Sequence, residues 1–276
     1  MKTGIKIPYD IFCNEMSETS KKLLTSFCGI YKFLGYLGEN CDAVEIGVVF
    51  HNTNGEILKT GVKLCNDFGL NVTIHGGFND TKSAEEFFAP YIPLIKSGLQ
   101  EFYNITVHPF ENPEDTEKLL TEICKYIEEY KYPVRITLEN QRYANENLKN
   151  TLCRNVAEIV KSINSKYLYC CFDFGHQLFN QIKYGENFDP VEGDFLSVVK
   201  HTHIHSLYEE STHFPLSCGE TLLEYNIKKL LSYNYNGIFL LELAPARYME
   251  KFDIKKSIED SIYILKTTLL QITGNS

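Results

Sequence analysis

Tyr167–His176 reads YLYCCFDFGH, and this stretch decides the fold. A mostly apolar run ends on Asp173, and Gly175 and His176 follow at once. A short apolar run is the signature of a parallel strand buried on both faces. Asp173 and His176 then stand just beyond the strand, where both can reach one common point. Asp173 also has a plainer role open to it, the capping of a following helix.

The pattern recurs in both directions along the chain. NVTIH ends on His75, NITVH on His108, RITLE on Glu139, KHTH on His203 and FLLE on Glu242. With Asp173 these positions lie 33, 31, 34, 30 and 39 residues apart, about one strand-plus-helix unit each. Strands are expected near Thr3–Pro8, Ala43–Val49, Val72–His75, Tyr103–His108, Val134–Glu139, Tyr167–Asp173, Lys200–His205 and Ile238–Leu243. Helix signals fall between them. Ser83-Ala84-Glu85-Glu86 is a capping box, and Asn112-Pro113-Glu114-Asp115 opens a helix with proline and acids at its positive end. Ile258, Ile262, Leu265 and Leu269 share one face of a last helix. No G-x-G-x-x-G follows the first strand, which removes one argument for a dinucleotide-binding sheet. The expectation is an α/β fold, a single (β/α)8 TIM barrel, with residues 1–276 forming one domain.

Parallel strands of a barrel open at one mouth, so the six strand-end residues converge there. Three imidazoles and three carboxylates around one mouth form a metal-ligand set, suited to Zn, Mn, Fe or Co better than to Ca. One such residue alone would be an ordinary satisfied polar group; six in register are not six accidents. In His201-Thr202-His203-Ile204-His205 all three rings fall on one strand face. His203 is taken as the ligand, with His205 nearer the mouth as a substrate or second-metal contact; the order of these two is open. His201 is expected deeper and structural. His213, in the loop after this strand, is a further candidate ligand. Of the eight histidines only His51 falls outside the pattern.

Composition narrows the function. The chain carries 43% hydrophobic residues, enough for a large core, and no linker-like or charge-block segment. A net charge of −9 without a dense Lys/Arg cluster disfavours nucleic acid and favours a small molecule. No membrane-spanning run and no signal-peptide h-region are present. Nine scattered cysteines without C-x-x-C read as free thiols in a reducing compartment, so a cytoplasmic location is expected.

These motifs together resemble the xylose isomerase-like TIM-barrel superfamily, which includes sugar isomerases and epimerases and the endonuclease IV type of abasic-site endonuclease. The matching pieces are LEN with Glu139, FDFGH with Asp173 and His176, HTHIHS, the H-x-P-L…GE loop and LLEL with Glu242. They run in order over nearly the whole chain. The resemblance implies a divalent metal (Zn, Mn, Co or Mg) held by Glu139, Asp173, His203 and Glu242. Glu139 and Glu242 would then be the proton-transfer, catalytic residues. His176 matches a substrate contact, and Glu45, which resembles an acid on strand two of the sugar enzymes, is expected to be another, or else a structural partner of a basic neighbour. A metal that polarises a carbonyl makes the neighbouring proton acidic enough for a carboxylate base. The implied substrate is a sugar or sugar phosphate, with Arg142 and Arg247 as candidate contacts to a phosphate or a hydroxyl, or as plain surface ion pairs. A homo-oligomer is common in such families.

The endonuclease branch implies up to three ions and a zinc-dependent phosphodiesterase acting on abasic-site DNA. His75, His108 and Glu139 would hold one ion, and His176 and His213 would contribute to another. Here the sequence departs: Ser211 stands where that branch has an aspartate ligand. The set therefore implies one to three ions. A metal-bound barrel that binds without turnover is a third possibility.

Overall fold

The computed structural model describes residues 1–48, 52–78, 81–143 and 151–274. Eight parallel strands form a closed barrel: β1 Lys2–Pro8, β2 Ala43–Gly47, β3 Asn71–His75, β4 Tyr103–Val107, β5 Val134–Glu139, β6 Leu168–Asp173, β7 Val199–Ile204 and, after a short hairpin, β10 Ile238–Leu241. Their order around the barrel is β1-β10-β7-β6-β5-β4-β3-β2. The eight expected strands are all found, most with ends shifted by a residue or two. Val49, the expected end of β2, and His51 lie outside the described residues. Helices pack around the sheet with the expected caps. Ser83 Oγ accepts from the Glu86 N–H, and Asn112 Oδ1 accepts from the Glu114 N–H at the start of Pro113–Tyr130. Ile258, Ile262, Leu265 and Leu269 are buried along Ile254–Gly274. Among the described residues no helix is long and apolar enough to cross a membrane. The nine cysteines are free.

The strands were read as apolar on both faces, and the inner face is different. Outward residues such as Ile74, Ile105, Ile136 and Phe172 are buried under the helices. The alternate, inward positions carry Lys6, Glu45, Thr73, Asn104, Thr106, Arg135, Thr137 and His201. The register sets Lys6 beside Glu45 and Glu45 beside Thr73 across three strands. These groups satisfy one another. Arg135 Nε donates to Asn104 Oδ1 at 2.8 Å, Asn104 Nδ2 donates to Thr137 Oγ1 at 3.1 Å, and the Thr106 and Thr137 hydroxyls lie 2.9 Å apart. A hydrogen-bonded column thus fills the barrel where branched aliphatic side chains commonly do.

The loop after β7 also holds structure the sequence did not announce. β8 Ser206–Tyr208 and β9 Ser211–Phe214 form an antiparallel hairpin. Its tight turn places Glu209 and Glu210 at φ of 48° and 61°, the backbone that Asn-Gly or Gly-Gly normally supplies. Two glutamates there hide the turn from sequence inspection.

Phe172 anchors the outer layer, with ring centroids 4.7 Å from Phe174 and 5.2 Å from Phe195. Phe172→Ala is expected to destabilise the chain by about 3–5 kcal/mol, through lost burial plus the cavity left behind. Urea unfolding measures this directly.

Candidate metal centre

The site is built from its floor upward. Glu45 is fully buried in the barrel, and both of its oxygens are occupied. Oε1 lies 2.8 Å from His203 Nε2 and Oε2 lies 2.9 Å from His201 Nε2, with the Thr73 hydroxyl donating to Oε2 at 3.3 Å. Glu45 was expected to meet substrate. It lies buried, with its oxygens taken by His203 and His201. His201 is deep, as its place in the strand suggested.

The pairing orients His203. With Nε2 turned to Glu45, Nδ1 faces upward, 3.0 Å from Glu139 Oε2 and 3.1 Å from Glu242 Oε2. His75 Nε2 lies 3.2 Å and His108 Nε2 3.3 Å from the same Glu139 oxygen. Gln141 Nε2 donates to Glu139 Oε1 at 2.9 Å, and Lys6 Nζ pairs with Glu242 Oε1 at 2.5 Å. Each glutamate is thereby clamped through one oxygen and presents the other to the centre.

A second group adjoins the first. Asp173, His176, His205 and His213 come together, as do His75, Glu139, His203 and Glu242. Asp173 Oδ1 lies 3.1 Å from His205 Nε2, so Asp173 faces His205 while the glutamates face His203. The same Oδ1 caps helix Phe174–Tyr184, accepting from the His176 N–H at 2.6 Å. Capping and convergence on the mouth therefore coexist in one carboxylate. His176 Nδ1 lies 3.0 Å from the Asn140 carbonyl and 3.3 Å from Glu139 Oε1, which links the two groups.

Gly175 makes room for this: a Cβ there would meet His205 Cε1 at 1.9 Å. Asn140 stitches β5 to β6, donating to the Asp173 carbonyl and accepting from the Asp173 N–H. His213 comes from β9 at φ 67°, a strained backbone for a non-glycine residue, and its N–H donates to His205 Nδ1 at 2.9 Å. Ser211, at the position of the missing aspartate, pairs with Tyr208 in the hairpin.

The electrostatics match a cation site. Burial raises the cost of charge on Glu45, Glu139 and Glu242, yet His203 and, for Glu242, Lys6 outweigh it and hold all three well below the usual carboxylate range. Burial also penalises charge on Asp173, but His176 and His205 bring its carboxyl down. Burial and then the Lys6 charge push His75 down to about 4; burial and then His205 push His213 down to about 3. Burial opposes charge on His203 and His176, yet Cys171 and Glu242 beside the first and Asp173 and Glu139 beside the second hold both above the usual imidazole range. Metals take ionised carboxylates and neutral imidazoles, so an ion would displace the protons of these two rings. Buried His203 Nδ1, His205 Nε2, Asp173 Oδ2 and Glu242 Oε2 lie 3.0–3.5 Å from oppositely charged groups yet make no well-directed hydrogen bond. Buried polar atoms crowded around one place without directed hydrogen bonds fit a divalent ion that would satisfy them.

The two arginines make no direct bond to these groups, although the Thr212 hydroxyl that Arg247 reaches lies 2.8 Å from His213 Nδ1. The Arg142 guanidinium lies over the Phe179 ring at 5.6 Å, and Arg247 Nη1 donates to the Thr212 carbonyl and hydroxyl at 3.0 and 2.8 Å. Neither forms an ion pair among the described residues. The sequence reading missed Lys6, Asn140 and Gln141. Asn140 and Gln141 follow Glu139 directly, and Lys6 interrupts an apolar strand; those positions were the available signals.

A family profile described as xylose isomerase-like TIM barrel matches residues 38–267. The chain belongs to this family. Among characterised structures it is similar to a D-tagatose 3-epimerase-like protein, at 20% identity and TM-score 0.62 over 98% of this chain and 100% of that one. It is also similar to a D-psicose 3-epimerase determined with D-fructose, at 15% identity and TM-score 0.63 over 97% and 98%. A third is the IolI protein with a bound zinc atom, at 16% identity and TM-score 0.59 over 100% and 99%. At these identities the likeness is one of fold. An uncharacterised protein of Methanocaldococcus jannaschii is 33% identical over 178 residues, 57% of this chain and 59% of the relative. The match thus spans little more than half of that relative's length.

Asp173→Asn keeps a good helix cap, since asparagine caps as well as aspartate, and removes only the charge. Metal content by elemental analysis is expected to fall steeply while the melting temperature holds. Glu45→Gln is expected to weaken metal binding by about 10–100-fold, as loss of a carboxylate that orients a ligating histidine does. Titration calorimetry of metal-stripped protein checks this.

Proposed function

We propose that this protein is a metal-dependent isomerase or epimerase of sugars or sugar phosphates. One observation carries the reading: Glu139 and Glu242, each clamped through one oxygen, both bring the other to His203 Nδ1, at 3.0 and 3.1 Å. Two carboxylates converging on one position suit removal of a proton by one and its return by the other. The geometry of the clamps supports this. Gln141 and Lys6 hold the outer oxygen of each glutamate, so the inner oxygen stays aimed at the reacting carbon.

A divalent ion bound by these donors would polarise the substrate carbonyl and make the adjacent C–H acidic. The ligand candidates are His75, His108, Glu139, Asp173, His176, His203, His205, His213 and Glu242. Mixed imidazole and carboxylate donors suit zinc, manganese or cobalt. The family and the solved structures named above for ketose epimerases support a sugar as substrate. Arg142 and Arg247, with no carboxylate partner among the described residues, suit the phosphate of a sugar phosphate.

A second reading, a zinc-dependent phosphodiesterase, has one observation in its favour. His75 and His108 both approach Glu139 Oε2, at 3.2 and 3.3 Å, as ligands of an additional ion would.

The test is solvent isotope exchange. The metal-loaded protein, incubated in D2O with D-fructose, D-psicose, D-tagatose and ketose phosphates, is expected to place deuterium on the carbon beside the carbonyl of at least one. Glu139→Gln and Glu242→Gln are each expected to slow the exchange by about 10²–10⁴-fold. Failure to exchange any of them, together with cleavage of abasic-site DNA, would overturn the reading in favour of the second.

A further inference from the structure

We propose that Asn180 is a positioning residue for proton transfer by Glu139, acting through Gln141 and not by touching the substrate. This role rests on the isomerase or epimerase reading of the same site.

Glu139 is clamped by the Gln141 side chain, so the clamp is only as firm as the segment that carries it. Residues 140–143 lie beyond the end of β5. One face of helix Phe174–Tyr184 holds them in place. His176, Asn180 and Tyr184 recur every four residues and so line one side of that helix. His176 Nδ1 lies 3.0 Å from the Asn140 carbonyl, and the Tyr184 hydroxyl donates to the Tyr143 carbonyl at 2.9 Å.

Asn180 makes the central contact. Its Oδ1 accepts from the Tyr143 N–H at 2.7 Å, and its Nδ2 donates to the Gln141 carbonyl at 3.2 Å. One carboxamide thus does for this segment what a neighbouring strand does for β5. Its orientation is fixed in turn. Nδ2 also donates to Asp189 Oδ2 at 2.9 Å, and Asp189 Oδ1 accepts from the Cys153 N–H at 3.0 Å, at the start of helix Cys153–Ile163. Exchanging the amide oxygen and nitrogen would set oxygen against oxygen at both Asp189 and Gln141. Asn180 and Asp189 are both buried, so removing the side chain leaves backbone groups unsatisfied.

This tie reaches the chemistry in two links. The Gln141 main chain is held on one side by the Thr151 carbonyl, at 2.7 Å, and on the other by Asn180. The Gln141 side chain passes that restraint to Glu139 Oε1 at 2.9 Å. A base must keep its free oxygen aimed at one carbon, and a misplacement of about 1 Å costs on the order of 100-fold in rate. Asparagine suits the position because it supplies a donor and an acceptor side by side; aspartate lacks the donor and leucine lacks both.

The experiment measures deuterium uptake from D2O, at varied ketose concentration, into those of D-fructose, D-psicose, D-tagatose and ketose phosphates that the metal-loaded wild type labels. Asn180→Ala is expected to lower kcat by about 10–100-fold while KM and metal content hold. Gln141→Ala is expected to act alike, and the double variant to be no slower than Gln141→Ala, because the two residues act in series. Asn180→Ser gives the same readout should the alanine variant not fold. An unchanged kcat in Asn180→Ala would overturn the proposal, as would a rise in KM alone. So would rate losses that multiply in the double variant, the mark of a residue that supports the fold by another route. Each of these outcomes leaves the functional reading standing. A wild type that labels none of the ketoses removes both.

Discussion

The structure turns on one buried carboxylate. Glu45 sits inside the barrel with no water to solvate it, and an unpaired charge there would be prohibitively costly. The fold meets that cost with two histidine rings and a threonine hydroxyl from two other strands. The pairing has to be mutual: Glu45 stays ionised because His201 and His203 point at it, and they hold their orientation because Glu45 is there. Below it the Arg135–Asn104–Thr137–Thr106 column closes the barrel with polar groups that leave little room for alternative packing. Everything above depends on which nitrogen His203 turns upward.

Above that floor the centre is an arrangement of restrained freedom. Glu139 and Glu242 are each tied through one oxygen, Asp173 through a helix cap, and His205 through the backbone of a strained His213. Such restraints are what allow donor atoms to remain buried without directed hydrogen bonds. Left free, those side chains would rotate to satisfy themselves, and the site would lose its shape. The left-handed backbone at His213 and the missing Cβ at Gly175 serve the same end, since both let a ring lie where ordinary geometry forbids it.

The nature of each contact governs how much of this could be read in advance. Strand-end residues announce themselves because a polar side chain after an apolar run recurs once per unit, so His75, His108, Glu139, Asp173, His203 and Glu242 were legible as one mouth. Glu45 was visible as an acid in a strand, yet its pairing with His201 and His203 was not, because depth along a barrel axis is set by register between strands. Lys6 passed unnoticed for the opposite reason. A lysine in a first strand near a chain end looks like a solvated charge until the neighbouring strands enclose it. The hairpin after β7 stayed hidden because its turn uses Glu209 and Glu210 in a conformation that glycine or asparagine usually marks.

The sequence by itself determined the barrel and the identity of the mouth residues. Both follow from local periodicity, which is written into consecutive positions. Only the tertiary structure decided which donors share a group: Asp173 with His205, Glu139 and Glu242 with His203, and Lys6 with Glu242. Those partners lie on different strands, and the barrel's closure and stagger, not the spacing along the chain, bring particular atoms within bonding distance.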